Sequence, residues 1–67
     1  MAISIIKYKL IAGYTGKNEE KIREGVNSLA GRKIKSEISN GNFYVYATKE
    51  EIDKITKSGL LYDTLYK

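Results

Sequence analysis

The sequence predicts an α+β domain of the ferredoxin-like, split βαβ class: strands and helices in the order βαββαβ, an antiparallel sheet, and two helices on one of its faces. Three stretches carry the prediction. Ile34 and Ile38 alternate with Lys33, Lys35 and Glu37, Asn40-Gly41 supplies the positive φ angles of a tight reversal, and Phe43, Val45 and Ala47 alternate with Tyr44 and Tyr46, which together spell a β-hairpin. Thr48 with Glu51 three residues later makes a capping box that starts a helix directly after it. From Ile3 to Ala12 a second alternation marks an opening strand.

Taken in order, the opening strand puts Ser4, Ile6, Tyr8, Leu10 and Ala12 on one face and Ile3, Ile5, Lys7, Lys9 and Ile11 on the other. The lysines direct the second face to water. Gly13-Tyr14-Thr15-Gly16 reads as a turn, and Lys17 to Ala30 as a helix with Ile22, Val26, Leu29 and Ala30 inward, acidic residues in its first turn and Gly31 at its end. Gly25 within it costs up to about 1 kcal/mol relative to alanine, so either the helix is weak there or another backbone packs close. After the hairpin, residues 49 to 58 form the second helix with Ile52 and Ile55 inward, and Gly59 stops it. Residues 60 to 66 are assigned to a closing strand, because leucine, tyrosine and threonine suit a pleated surface after a glycine stop. Right-handed crossovers then place strands one and three in the centre of the sheet.

Composition bounds the function. The chain of 67 residues holds one thin core and no second domain, and without cysteine or histidine the usual disulfide, thiolate-zinc and haem ligands are missing. No cofactor or metal is expected. The short apolar run at the start is interrupted by Lys7 and Lys9 and is far below the roughly 20 residues of a membrane span, so a cytoplasmic protein with no membrane partner is expected. The net charge is +4. Residues 17 to 24 and 49 to 57 are each neutral, so the surplus sits in the strands: Lys7 and Lys9 in the first, and Arg32, Lys33 and Lys35 against Glu37 in the second.

That distribution defines the candidate site. With strand three in the middle, Tyr44 and Tyr46 lie on the uncovered face between Lys7 and Lys9 on one side and Lys33 and Lys35 on the other, with Glu37 towards one end. Such a face suits a protein partner anchored on the tyrosines and steered by the lysines. It also suits a single-stranded nucleic acid, whose bases stack on rings while ammonium groups follow phosphates; and the same residue types serve simply to solvate an open sheet. A second copy of the chain is a further candidate partner, through an exposed edge at strand two or four or through the sheet face. The run from Gly13 to Asn18 lacks the spacing of a phosphate-binding loop, and Gly41-Asn42-Phe43-Tyr44-Val45-Tyr46 matches the aromatic signature of RNA-recognition motifs poorly. Six of the eight acidic residues fall in the helix patterns, and neither Glu37 nor Asp63 has a catalytic partner at a recognisable spacing, so no enzyme is expected.

The chain resembles the propeptide-type inhibitors of subtilisin-like serine proteases. The likeness is carried by the basic strand Arg32-Lys33-Ile34-Lys35-Ser36-Glu37, the turn and aromatic strand Asn40-Gly41-Asn42-Phe43, the acidic helix start Thr48-Lys49-Glu50-Glu51-Ile52, the closing Gly59-Leu60-Leu61-Tyr62 and the opening Ile5-Ile6-Lys7-Tyr8-Lys9. Asp63 stands where that family usually has an apolar residue. The resemblance implies that the open sheet face docks on a protease and that the residues beyond the closing Leu60-Leu61-Tyr62 motif, here Asp63 to Lys67, lie in its active-site cleft.

Overall fold

The computed structural model describes residues 3–65. Its elements are β1 (Ile6–Ile11), α1 (Glu19–Ala30), β2 (Lys35–Ser39), β3 (Asn42–Ala47), α2 (Lys49–Lys57) and α3 (Leu60–Leu65). The sheet is antiparallel with the order β1-β3-β2. The hairpin turns at Asn40 (φ 52°) and Gly41 (φ 74°), the two positive φ angles that let a two-residue loop follow the twist of its strands. Pairing then runs from Ser39↔Asn42 to Lys35↔Tyr46. Phe43, Val45 and Ala47 are fully buried beneath the helices.

Helix ends follow the local chemistry. The Glu51 N–H donates to Thr48 Oγ1 (3.2 Å) and the Thr48 N–H to Glu51 Oε1 (2.9 Å), so both halves of the capping box are made. Gly31 closes α1 in the left-handed conformation, its N–H shared between the carbonyls of Asn27 and Ser28. Asn18, at the start of α1, is also left-handed (φ 58°), and its side chain caps nothing in that helix; Nδ2 instead donates to the Thr64 carbonyl in α3 (2.7 Å).

The closing segment corrects the sequence reading. Leu60–Leu65 is a helix, not a fourth strand, and Tyr66, the last residue of the expected strand, lies outside the described residues, as does Lys67. Apolar residues there satisfy both periods: Leu60 and Thr64, or Leu61 and Leu65, are one helical turn apart. Long-range contacts decide between them. Leu60 packs onto Gly25, where a Cβ would stand 2.5 Å from its Cδ1, and Asn18 holds Thr64. Gly25 is therefore a notch for a side chain, not for a neighbouring backbone. Because α3 packs on α1 and α2, β1 has β3 as its only strand neighbour among the described residues. It is an edge strand and not a central one.

The core is Leu10, Tyr14, Ile22, Val26, Ile34, Phe43, Val45, Ala47, Ile52 and Ile55. Tyr14 lies in the turn before α1, as its sequence predicts, and is also part of the core. Its ring meets Phe43 edge-on (5.3 Å between centroids, 78° between planes), its hydroxyl donates to the Lys17 carbonyl (2.8 Å) and its N–H to the Gly41 carbonyl. The turn before α1 is thus pinned to the hairpin turn, with the Gly13 N–H also reaching Asn42 Oδ1 (3.2 Å).

Candidate functional site: the open face of the sheet

Register places the open-face side chains in two rows across the sheet. Lys7, Tyr46 and Lys35 face one another in the first; Lys9, Tyr44 and Glu37 in the second. Directly opposed residues of antiparallel strands share a face, so Tyr44, Tyr46, Lys7, Lys9 and Lys35 form the platform the alternation predicts. Lys33 does not belong to the rows: it precedes β2, where no strand pairing sets its direction. Beyond the platform, a β-bulge between Lys9 and Ile11 inserts Leu10 as an extra residue and returns Ile11 to the helix side opposite Phe43, whereas strict alternation kept it on the open side.

The charges within the platform are partly satisfied by one another. The Lys7 ammonium reaches diagonally over β3 to the Glu37 carboxylate (3.1 Å), passing 4.7 Å from the Tyr44 ring centroid and 5.9 Å from that of Tyr46. From the other side, the Lys35 ammonium stands 5.0 Å from the Tyr46 centroid. Tyr46 thus lies between two cations, each drawn to the negative face of its ring, and its hydroxyl lies 3.4 Å from Glu37 Oε1. The Lys7 hydrogen bond pulls the Glu37 carboxyl below the usual range, and the same bond raises the Lys7 ammonium. Lys9 makes no ion pair among the described residues.

A second electrostatic node joins the loop before β2 to the start of α2. Arg32 grips Glu51 with two parallel bonds of 2.7 Å, from Nε and Nη2. Glu51 is already the carboxylate of the capping box, so donors converge on it, and its pKa falls to about 2, first through Arg32 and then through the Thr48 backbone N–H. No sequence spacing links Arg32 to Glu51, and composition groups Arg32 with the basic strand; the pair is made only by the fold.

The remaining features are modest. A shallow cleft of about 190 Å³ opens between Ile11, Tyr14, Thr15 and Leu65, below the roughly 300 Å³ at which small-molecule pockets begin. No group of three or more metal-ligating side chains is found among the described residues, and no helix among them is long and apolar enough to cross a membrane. No protein-family model, curated protein or solved structure matches the chain, so the Lys/Tyr platform stands on its own geometry.

Proposed function

We propose that the chain is a non-catalytic binding module whose open sheet face docks an acidic or amphipathic protein partner. The observation that carries this reading is the pairing register, which gathers Tyr44 and Tyr46 between Lys7, Lys9 and Lys35 on one side of three strands. Half-buried rings on a rigid sheet are low-entropy anchors, and ammonium groups beside them steer an acidic partner and add salt dependence. The two carboxyls with lowered pKa, Glu37 and Glu51, are both held ionised by cationic partners, an arrangement suited to fixing structure and not to transferring protons. A protein ligand is favoured over single-stranded nucleic acid because Lys7 already covers the Tyr44 ring and Glu37 puts a negative charge inside the platform, where a base or phosphate would have to sit. We further read the fold as a ferredoxin-like arrangement in which α3 takes the sequence position of the last strand, and the partner, in line with the family resemblance, as a subtilisin-like serine protease.

The test is capture from the native host with wild type and with the Tyr44→Ala, Tyr46→Ala double variant, in parallel with titration of a subtilisin-type protease. A protein retained by wild type and lost with the variant supports the reading. Retention of nucleic acid, with affinity falling roughly as the 0.7 power of salt per phosphate contact, replaces it with the nucleic-acid alternative. Full protease activity at high excess removes the inhibitor assignment and leaves the docking face.

A further inference from the structure

The outer edge of β1 is a second surface, built from the strand's backbone with Ile6 and Tyr8, and it shares only Lys9 with the platform. Among the described residues β1 hydrogen-bonds to β3 alone. An edge strand directs about half of its backbone N–H and C=O groups away from the sheet, where they template an added strand. The side chains along this edge are sorted by face. Towards the helix layer, Ile6 (41% exposed) and Tyr8 (36% exposed) lie opposite the fully buried Ala47 and Val45 but are themselves half uncovered, because α3 packs on the helices and leaves that flank open. On the opposite face, Lys7 is turned inward over β3 to Glu37, which leaves Lys9 beside the edge with no ion pair among the described residues.

This pattern selects one kind of strand. A second copy of β1 is disfavoured, because antiparallel registers centred on Lys7, Tyr8 or Lys9 that keep both helix layers on one side oppose lysine to lysine, and like charges directly opposite destabilise a strand pair. A strand with apolar residues opposite Ile6 and Tyr8 and a carboxylate opposite Lys9 meets both faces at once. The bulge between Lys9 and Ile11 ends regular pairing, which confines the added strand to the part of the edge before it.

We propose that the β1 edge accepts an extended acidic peptide, alternating carboxylate and apolar side chains, by β-strand addition alongside Ile6 to Lys9. The main-chain bonds supply affinity, and the alternation supplies specificity. This site shares Lys9 with the platform but not its tyrosine anchors, since it uses the backbone of β1 with Ile6 and Tyr8 and leaves Tyr44 and Tyr46 untouched.

The test titrates the isotopically labelled full chain with a capped peptide of about seven alternating glutamates and valines. Controls are the same composition in block order, an alternating lysine–valine peptide, and two versions of the first peptide N-methylated on one or the other alternate set of residues. The expected result is binding about tenfold tighter than either composition control, slowed amide exchange confined to Ile6–Lys9, and loss of binding with one methylated set but not the other. Lys9→Glu should transfer the preference to the lysine peptide, and the Tyr44→Ala, Tyr46→Ala double variant should bind as wild type does. Equal affinity for the block-order peptide, tolerance of both methylated peptides, or shifts that centre on Tyr44 and Tyr46 and vanish in the double variant would each overturn the proposal. So would a mass that rises with concentration while Ile6–Lys9 are protected without peptide, which assigns the edge to a second copy.

Discussion

Lys7 and Glu37 stand on the two outer strands and are joined over the central one by a 3.1 Å ion pair that spans the Tyr44 and Tyr46 rings. The pair reduces the positive charge the platform shows to a partner and holds an ammonium against the rings. Exposed ion pairs contribute little to stability. Glu37→Gln should therefore lower the denaturation midpoint at neutral pH only slightly. It should also strengthen salt-sensitive binding of an acidic ligand and shift the ring resonances of both tyrosines, read by NMR. Unmoved tyrosine signals would mean that Lys7 does not rest on the rings in solution.

Glu51 sets the acid limb of stability. Its carboxyl is held at a pKa of about 2 in the folded chain, against an ordinary glutamate value of 4.5. A depressed folded pKa gives stability that is complete above the unfolded value and lost as pH falls towards the folded one. Denaturant midpoints should therefore decline from about pH 5 down to about pH 2, with Glu37 adding to the loss in the same direction. Arg32→Ala should raise the Glu51 pKa in a carboxyl NMR titration and flatten the decline. On the alkaline side the sign reverses: the raised Lys7 pKa gives stability that is present below the ordinary lysine value and lost as pH rises through the higher folded one.

Gly25→Ala sets two effects against each other. Alanine gains up to about 1 kcal/mol of helix propensity in α1, but its Cβ would come 2.5 and 2.8 Å from the two Leu60 methyls. Leucine methyls can swing away, and α3 then loses its seat. Amide exchange should accelerate across Leu60–Leu65 while global stability changes by less than about 1 kcal/mol. In a double-mutant cycle, Leu60→Ala should cost less in the Gly25→Ala background than alone.

Neighbouring aromatics on β3 should respond in opposite ways. Phe43 is fully buried, touches Tyr14 and lies 5.8 Å below the Arg23 guanidinium. Phe43→Ala should cost about 3–5 kcal/mol, which is most of the stability of so small a domain. Tyr44→Ala, one residue along and on the open side, should leave the circular dichroism melt nearly intact while affecting binding.

What could be read from the residues was what neighbours along the chain decide. The hairpin, the capping box at Thr48, the glycine end of α1 and the sorting of Tyr44 and Tyr46 from Phe43 and Val45 all rest on signals within a few positions, and each is present. Residues 60–65 could not be assigned that way. Their leucines fit either period, and the outcome depends on Gly25, some 35 positions earlier, and on Asn18. From this one segment follow the edge position of β1 and the half-uncovered Ile6 and Tyr8. The burial of Tyr14 has no local signal, because a tyrosine in a Gly13-to-Gly16 turn carries no periodic mark; it is set by Phe43, which lies near it only in three dimensions. Within the platform, the pattern gave the members but not their alliances, since the Lys7 bridge to Glu37 needs the strand order as well as the pleat.

The bond from Asn18 to the Thr64 carbonyl spans 46 residues. It makes the first helix answerable to the last one. During synthesis, the opening turn of α1 is without this tether while the hairpin and α2, which lie between its two partners, are added. The first turn of α1 therefore takes its native form late, once the closing segment can fold back to it.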